Sequence, residues 1–404
     1  MRLLKGAVSG PIICLVLLGI FARVSSPAAE PWVRVSTHSI KLYSSTGKES
    51  ASALVQVLAQ AHDVLAKIMP LPNTYNGSIT VVLFGSQAEF RSYSGNPGAC
   101  AYHQRAKNTD YIAMWDRGPE NDQIAIHEYV HAMIDHAGVD LPVWLTEGLA
   151  EFYSCYRSDE RQILIGAPIV NRLAILRRSP WMKLSLLLSV THSSSYYNSP
   201  ETMATFYAQS WLLAHMLALS PAYASRFGDF LSTITRNANS VAALEATYAR
   251  SLEQIEADLM AYSPKEKVAV AAFNVQPRPS SSRPPIAFPS EHETDLALAE
   301  LLAADPNQQA KAERQLKAIS EKYPDDPESE GCLGYVAMRA GRLGEARAHF
   351  MLAVDRHSSD PQVFYYAAHL DQRCSNQRRV SDPDLGIGAR NSRASLRGGT
   401  ASCE

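Results

Sequence analysis

Cysteine is scarce: six in 404 residues are too few for a disulfide-dense mini-scaffold. No two of them stand in the close CxxC spacing of a thiolate zinc site. An excess of charge of one sign is missing as well, since 38 Lys and Arg against 40 Asp and Glu leave a net charge of −2. Such a chain has no electrostatic reason to seek nucleic acid or an anionic membrane, and neither is expected as a partner. Long apolar runs are also lacking. The run from Pro11 to Ala22 falls short of the roughly 20 residues that span a bilayer. What is present is ordinary core material, 46% hydrophobic and 19% charged, which excludes wholesale disorder. The length suggests two or three domains.

The amino terminus stands apart. Arg2 and Lys5 precede Ile12, Ile13, Leu15, Val16, Leu17, Leu18, Ile20 and Phe21, and small residues, Ser25, Ser26, Ala28 and Ala29, follow. This order describes a secretory signal peptide over residues 1–29, so a periplasmic or secreted protein is expected. A membrane contact arises only if the signal stays uncleaved. Cys14 would leave with the signal. In an oxidising compartment Cys100 and Cys155 can then form a disulfide, or they are two buried thiols.

Along the mature chain Val33–Ser36, Ile79–Phe84 and Tyr111–Trp115 read as short β-branched or aromatic strands, with Tyr111–Trp115 a possible edge strand for an extended peptide. Ser50–Met69 carries apolar residues near the 3.6 period. Gly118 and Pro119 precede a helix running to about His136, with Gly138 as its stop. Leu145–Tyr153, Thr202–Leu219, Ala222–Ile234 and Leu252–Tyr262 also read as helices. Strands first and helices after make residues 30–272 an α+β domain. Residues 273–292 form a Pro/Ser-rich linker, with five prolines between Gln276 and Pro289. Then Asp325, Asp326 and Pro327 recur as Ser359, Asp360 and Pro361, an offset of 34. Ala312, Leu316 and Ile319 recur at the same offset as Ala346, Phe350 and Ala353. Residues 371–404, rich in Arg, Ser and Gly without a period, read as a disordered tail.

The chemistry is concentrated in His127–Glu128–Tyr129–Val130–His131. On a helix, positions i and i+4 share a face, so both imidazoles reach one ion, while Glu128 beside them is placed to take a proton from metal-bound water. Zinc held by two imidazoles needs a third protein ligand and an open position. A third histidine six residues on is absent, since position 137 is Ala, and His136 is off register, suited to the helix C-terminal dipole. The segment Trp144–Leu145–Thr146–Glu147–Gly148–Leu149–Ala150–Glu151 offers two carboxylates one turn apart. One can bind the metal while the other accepts the free N–H of a ligand imidazole.

These two phrases resemble the gluzincin zinc metallopeptidases, the group that includes thermolysin-like and membrane-alanyl-aminopeptidase-like enzymes. The resemblance runs from Gly98 to about Leu219 and implies a thermolysin-like catalytic domain with Zn2+ held by His127, His131 and Glu147. It gives Glu128 as the general base and Glu151 as the partner of a ligand histidine. Fifteen residues separate His131 from Glu147, which requires a tight loop. The phrase Phe206–Tyr207–Ala208–Gln209–Ser210–Trp211 is similar to the family segment that carries an oxyanion-stabilising tyrosine, implying that role for Tyr207, with His192 and His215 as alternatives. The aminopeptidase phrase Gly-x-Met-Glu-Asn has no counterpart near Cys100 or Met114, which tilts the expectation toward an endopeptidase acting on a peptide or protein substrate. The 34-residue period is similar to tetratricopeptide repeats, with Gly334 at the small helix-crossing position and Glu300 where the first unit should have Gly. The resemblance implies an all-α repeat over residues 293–370 and a protein partner. Two and a half units are marginal alone, so the array should lean on the first domain or on that partner. Two other readings stand beside this one: a repeat-bearing adaptor with a catalytically silent metallopeptidase-like domain, and a zinc hydrolase of a non-peptide amide or ester.

Overall fold

The computed structural model describes residues 31–71, 77–96, 98–106, 109–158, 162–236, 239–262, 269–274 and 284–381. The expected signal peptide, residues 275–283 of the expected linker and the tail beyond 381 lie outside the described residues, and the rest of that linker span carries strand residues and the start of a helix. Five strands, β1 (Val33–Ser36), β2 (Ile40–Ser44), β3 (Ile79–Phe84), β4 (Ala101–Gln104) and β5 (Asp110–Trp115), build the main sheet. A small second sheet follows from β6 (Arg157–Ser158), β7 (Gln162–Ile165) and β8 (Ala271–Asn274). A ninth strand, β9 (Ile286–Ala287), returns to the first sheet, whose order is β4-β5-β3-β2-β1-β9.

β3 lies parallel to both neighbours, pairing Leu42 with Val81 on one side and Val81 with Ile112 on the other. All six of its residues are buried, as an unbroken apolar strand requires when both faces of a sheet are covered. On one face Val81, Leu83, Ile112 and Met114 join Leu54 and Leu58 of helix Lys48–Ile68 and Ile126 and Val130 of helix Asn121–Ala137. On the other, Val82, Phe84, Tyr111 and Ala113 pack against Leu298, Leu301 and Ala304. Mixed α+β architecture is therefore present as expected. Tyr111–Trp115 is not an edge strand: β5 lies between β3 and β4. Its side chains are apolar toward both faces, and β4 is outermost, antiparallel to β5.

The second covering layer comes from Glu291–Ala304, the first of five C-terminal helices, which continue as Gln309–Lys322, Pro327–Arg339, Leu343–Asp355 and Pro361–Ser381. A Cβ on Gly334 would lie 2.6 Å from the Phe350 ring, so the crossing of two of these helices needs a residue without a side chain. Glu300 departs from that pattern because it faces the sheet: its carboxylate accepts the Tyr111 hydroxyl at 3.0 Å. The Tyr43 hydroxyl likewise reaches Glu293 at 3.0 Å, and Arg34 pairs with Glu293. The array does lean on the first domain, through its first helix. The last helix runs past Leu370, where the tail was expected to begin, as far as Ser381. Residues 371–381 contain neither Gly nor Pro, and Pro383 disfavours helix at the residue before it. Among the described residues no helix is long and apolar enough to cross a membrane.

Candidate metal centre

Helix Asn121–Ala137 starts behind a Gly118–Glu120 turn in which Asp116 Oδ1 accepts from the Gly118 N–H and from the Asn121 side chain at 2.8 and 2.7 Å. It ends on Gly138 with φ 66°, a left-handed residue for which glycine carries no Cβ cost. Ile126, Tyr129, Val130 and Met133 bury one side of it. Tyr129, in the middle of the His-Glu motif, also fixes the helix to its neighbour by a 2.5 Å hydrogen bond with His62 Nδ1. The opposite side is left to His127, Glu128 and His131. Residues 138–142 then turn the chain into helix Val143–Ser154, the tight loop that the spacing requires.

This second helix is almost wholly buried. Gly148 lets it approach helix Pro200–Leu219: a Cβ there would stand 2.5 Å from the Ser210 carbonyl oxygen. Trp144 is fully buried and donates to Ser240 Oγ at 2.9 Å. So anchored, the helix carries Glu147 into the imidazoles. His127 Nε2 and His131 Nε2 lie 3.1 Å apart, and Glu147 Oε2 lies 3.4 and 3.5 Å from them. All three ligand-type atoms fall within 4.8 Å of one another.

Glu147 is only 4% exposed, and its Oε2 is buried without a hydrogen-bond partner. A buried carboxylate oxygen so placed is costly unless positive charge meets it. Burial disfavours charge on His127, yet the Glu147 contact and the fields of Glu128 and Glu151 outweigh it and push its pKa up to about 9. Burial also opposes ionisation of Glu147, but the two histidines hold its carboxyl well below the usual range. The cluster thus seeks positive charge. Two imidazole nitrogens and one carboxylate oxygen, converging on one point, fit a divalent cation.

Glu151, the other carboxylate, has Oε1 4.0 Å from His127 Nδ1, beyond a hydrogen bond. Its firmer partner is Arg172, whose Nε donates to Oε2 at 3.2 Å and whose Nη2 reaches Oε1. Glu128 is half-buried, and its charge acts on His127, Cys100, Tyr197 and Tyr207. Tyr207 is half-buried and lies in the field of Glu147 and Glu128. Its ring lies parallel to that of Tyr197 with centroids 6.1 Å apart, and the Tyr197 hydroxyl donates to Glu147 Oε1 at 2.8 Å. Burial, Glu147 and Tyr197 raise the Tyr207 pKa far above the usual phenol value. His215 is a core residue between Gly166 O and the Tyr262 hydroxyl, at 2.9 and 2.8 Å. His192 sits edge-on to Tyr197 on the surface.

Two further expectations are settled by the structure, the thiol alternative for the cysteines and a different partner for His136. Cys100 and Cys155 are both free thiols: Cys155 is buried and donates to the Glu151 carbonyl at 3.1 Å, while Cys100 precedes the edge strand. His136 pairs through Nε2 with Asp110 at 2.8 Å, a stronger partner than a helix dipole. Tyr197 and Arg172 were not singled out in the sequence. The two tyrosines in the otherwise polar Ser193–Asn198 stretch were the available signal for the first; nothing marked the second.

A family described as a protein of unknown function, DUF1570, matches residues 123–240, a span that holds the triad, Glu128, Glu151, Arg172, Tyr197 and Tyr207. No curated protein and no solved structure matches the chain.

Proposed function

We propose that the chain is an exported zinc-dependent endopeptidase, a member of the gluzincin group with a thermolysin-like catalytic domain and a tetratricopeptide-like C-terminal array. One observation carries the reading: the His127, His131 and Glu147 atoms converge within 4.8 Å beside a glutamate in the general-base position. His127, His131 and Glu147 Oε2 would hold the ion. Zinc, when bound, polarises a substrate carbonyl and acidifies water.

The chain's own groups do the rest. Glu128 accepts the proton of the attacking water and returns it to the leaving nitrogen. Tyr207 keeps its hydroxyl proton because burial and Glu147 oppose ionisation, the state a donor to a developing oxyanion needs. β4 and the residues before it, Gly98 to Gln104, contain no carboxylate to hold a free substrate amine, which favours endopeptidase action. The array supplies a helical surface for a protein partner.

The test is metal content by elemental analysis, together with hydrolysis of casein or a peptide library with and without chelator. Glu128→Gln should retain about one zinc and lose at least roughly 100-fold in turnover. Undiminished cleavage by that variant would overturn the mechanism. Absence of metal from the wild-type chain would overturn the site.

A further inference from the structure

Glu147 has two carboxylate oxygens in different surroundings. Oε2 faces both imidazole nitrogens and has no hydrogen-bond partner. Oε1 accepts the Tyr197 hydroxyl at 2.8 Å. The phenol that makes this bond comes from neither of the two helices that carry the triad. It is carried on the short helix Ser195–Asn198, within a segment whose Thr191, His192, Ser193, Ser195 and Asn198 are exposed. That segment is nevertheless well defined. The Asn198 side chain bridges the His192 and Ser194 carbonyls at 2.7 and 2.9 Å, and the Thr191 N–H reaches Ser194 Oγ at 2.9 Å. The Tyr197 ring is gripped edge-on by Phe206 and His192, with centroids at 5.7 and 5.2 Å, while Tyr207 lies parallel to it. A phenol so confined cannot rotate off the carboxylate without unpacking.

We infer that Tyr197 is a positioning residue for the metal centre: by occupying Oε1 it presents Oε2 alone to the ion, and it ties the surface segment 191–199 to metal binding. The inference rests on the proposal that the triad holds an ion. A carboxylate with both oxygens free can turn to chelate through both, adding a donor where an open position is needed. Tyr197 removes that freedom with one neutral hydrogen bond. It is distinct from the role assigned to Tyr207, because its hydroxyl is already engaged by a ligand rather than directed at substrate.

Tyr197→Phe in the full chain removes only the hydroxyl and keeps the ring contacts. The metal-free variant should stay folded and unfold at a modestly lower temperature, since Glu147 Oε1 loses its donor. Its affinity for Zn2+, measured by competition with a chromogenic chelator, should fall about 10–100-fold. Bound Co2+ should lose visible-band intensity as a further oxygen enters its coordination sphere. Equal affinity and an unchanged Co2+ spectrum would overturn the inference. A lower unfolding temperature with an unchanged spectrum would also overturn it, by showing a merely structural contact. If the wild-type chain takes up neither ion, the metal reading itself fails, an outcome visible before the variant is measured.

Discussion

Asp110 shows how a charge away from the triad can set the frame around it. It begins β5 and is 2% exposed. One of its oxygens, Oδ2, meets His136 Nε2 at 2.8 Å and His103 Nε2 at 3.1 Å. It thus links the carboxyl end of the helix bearing His127 and His131 to the edge strand. Burial alone would raise its pKa, but the bonds and fields of the two histidines lower it. A carboxyl whose folded pKa lies below the unfolded value of about 3.9 contributes stability that is present above that pH. The contribution is lost as the pH falls through the folded value. Asp110→Asn should therefore cost roughly 1–3 kcal/mol at pH 7, and the difference from wild type should shrink below about pH 4. Urea unfolding at several pH values checks this, and a difference independent of pH would refute it. His103, Asp110 and His136 were legible only as separate residues, since their meeting depends on β4 folding back on β5. His127, Glu128, His131 and Glu147, in contrast, were legible because ligand spacing on a helix is a local property.

At the scale of elements, the second site helix is held by what it lacks. Gly148 in the Trp144–Ala150 phrase has its Cα against the Ser210 carbonyl of helix Pro200–Leu219, and an added Cβ would fall 2.5 Å from that oxygen. The obstacle is backbone, which cannot rotate aside as a side chain can. Gly148→Ala should force the two helices apart, cost about 1–3 kcal/mol, and withdraw Glu147 from the histidines. A lowered unfolding midpoint accompanied by weaker zinc binding is expected, and a wild-type midpoint would show that the helices have slack. Long periodic helices such as Lys48–Ile68 were readable to within a few residues. The short strands β2, β4, β7 and β8 and the helix Val170–Arg178 were not. Their four to nine residues carry too few side chains to establish a period, and pairing with distant partners decides them. Arg172 lies on one of these unread elements, so its pairing with Glu151 was invisible.

At the scale of the molecule, the 34-residue period suggests an appended module, but the packing joins it to the sheet of the first domain. Leu298, Leu301 and Ala304 of the first C-terminal helix cover Val82, Phe84, Tyr111 and Ala113 on the sheet, and β9 extends that sheet beside β1. The face opposite the candidate metal site is therefore covered in part by the array and in part by Phe90, Tyr93 and Trp32. Phe84 illustrates the dependence: it is fully buried, with Phe90, Tyr93 and Trp32 around its ring, on the face that the array closes. An array added as an independent unit would melt separately from the first domain. One that completes a core should melt with it. Leu301 is fully buried at this junction, so Leu301→Ala should cost about 2–5 kcal/mol. The loss should lower a single cooperative transition of the full chain, with release of bound zinc coinciding with loss of helical circular dichroism. Two resolved transitions, only one of them shifted by Leu301→Ala while zinc is retained through it, would show instead that the array folds on its own.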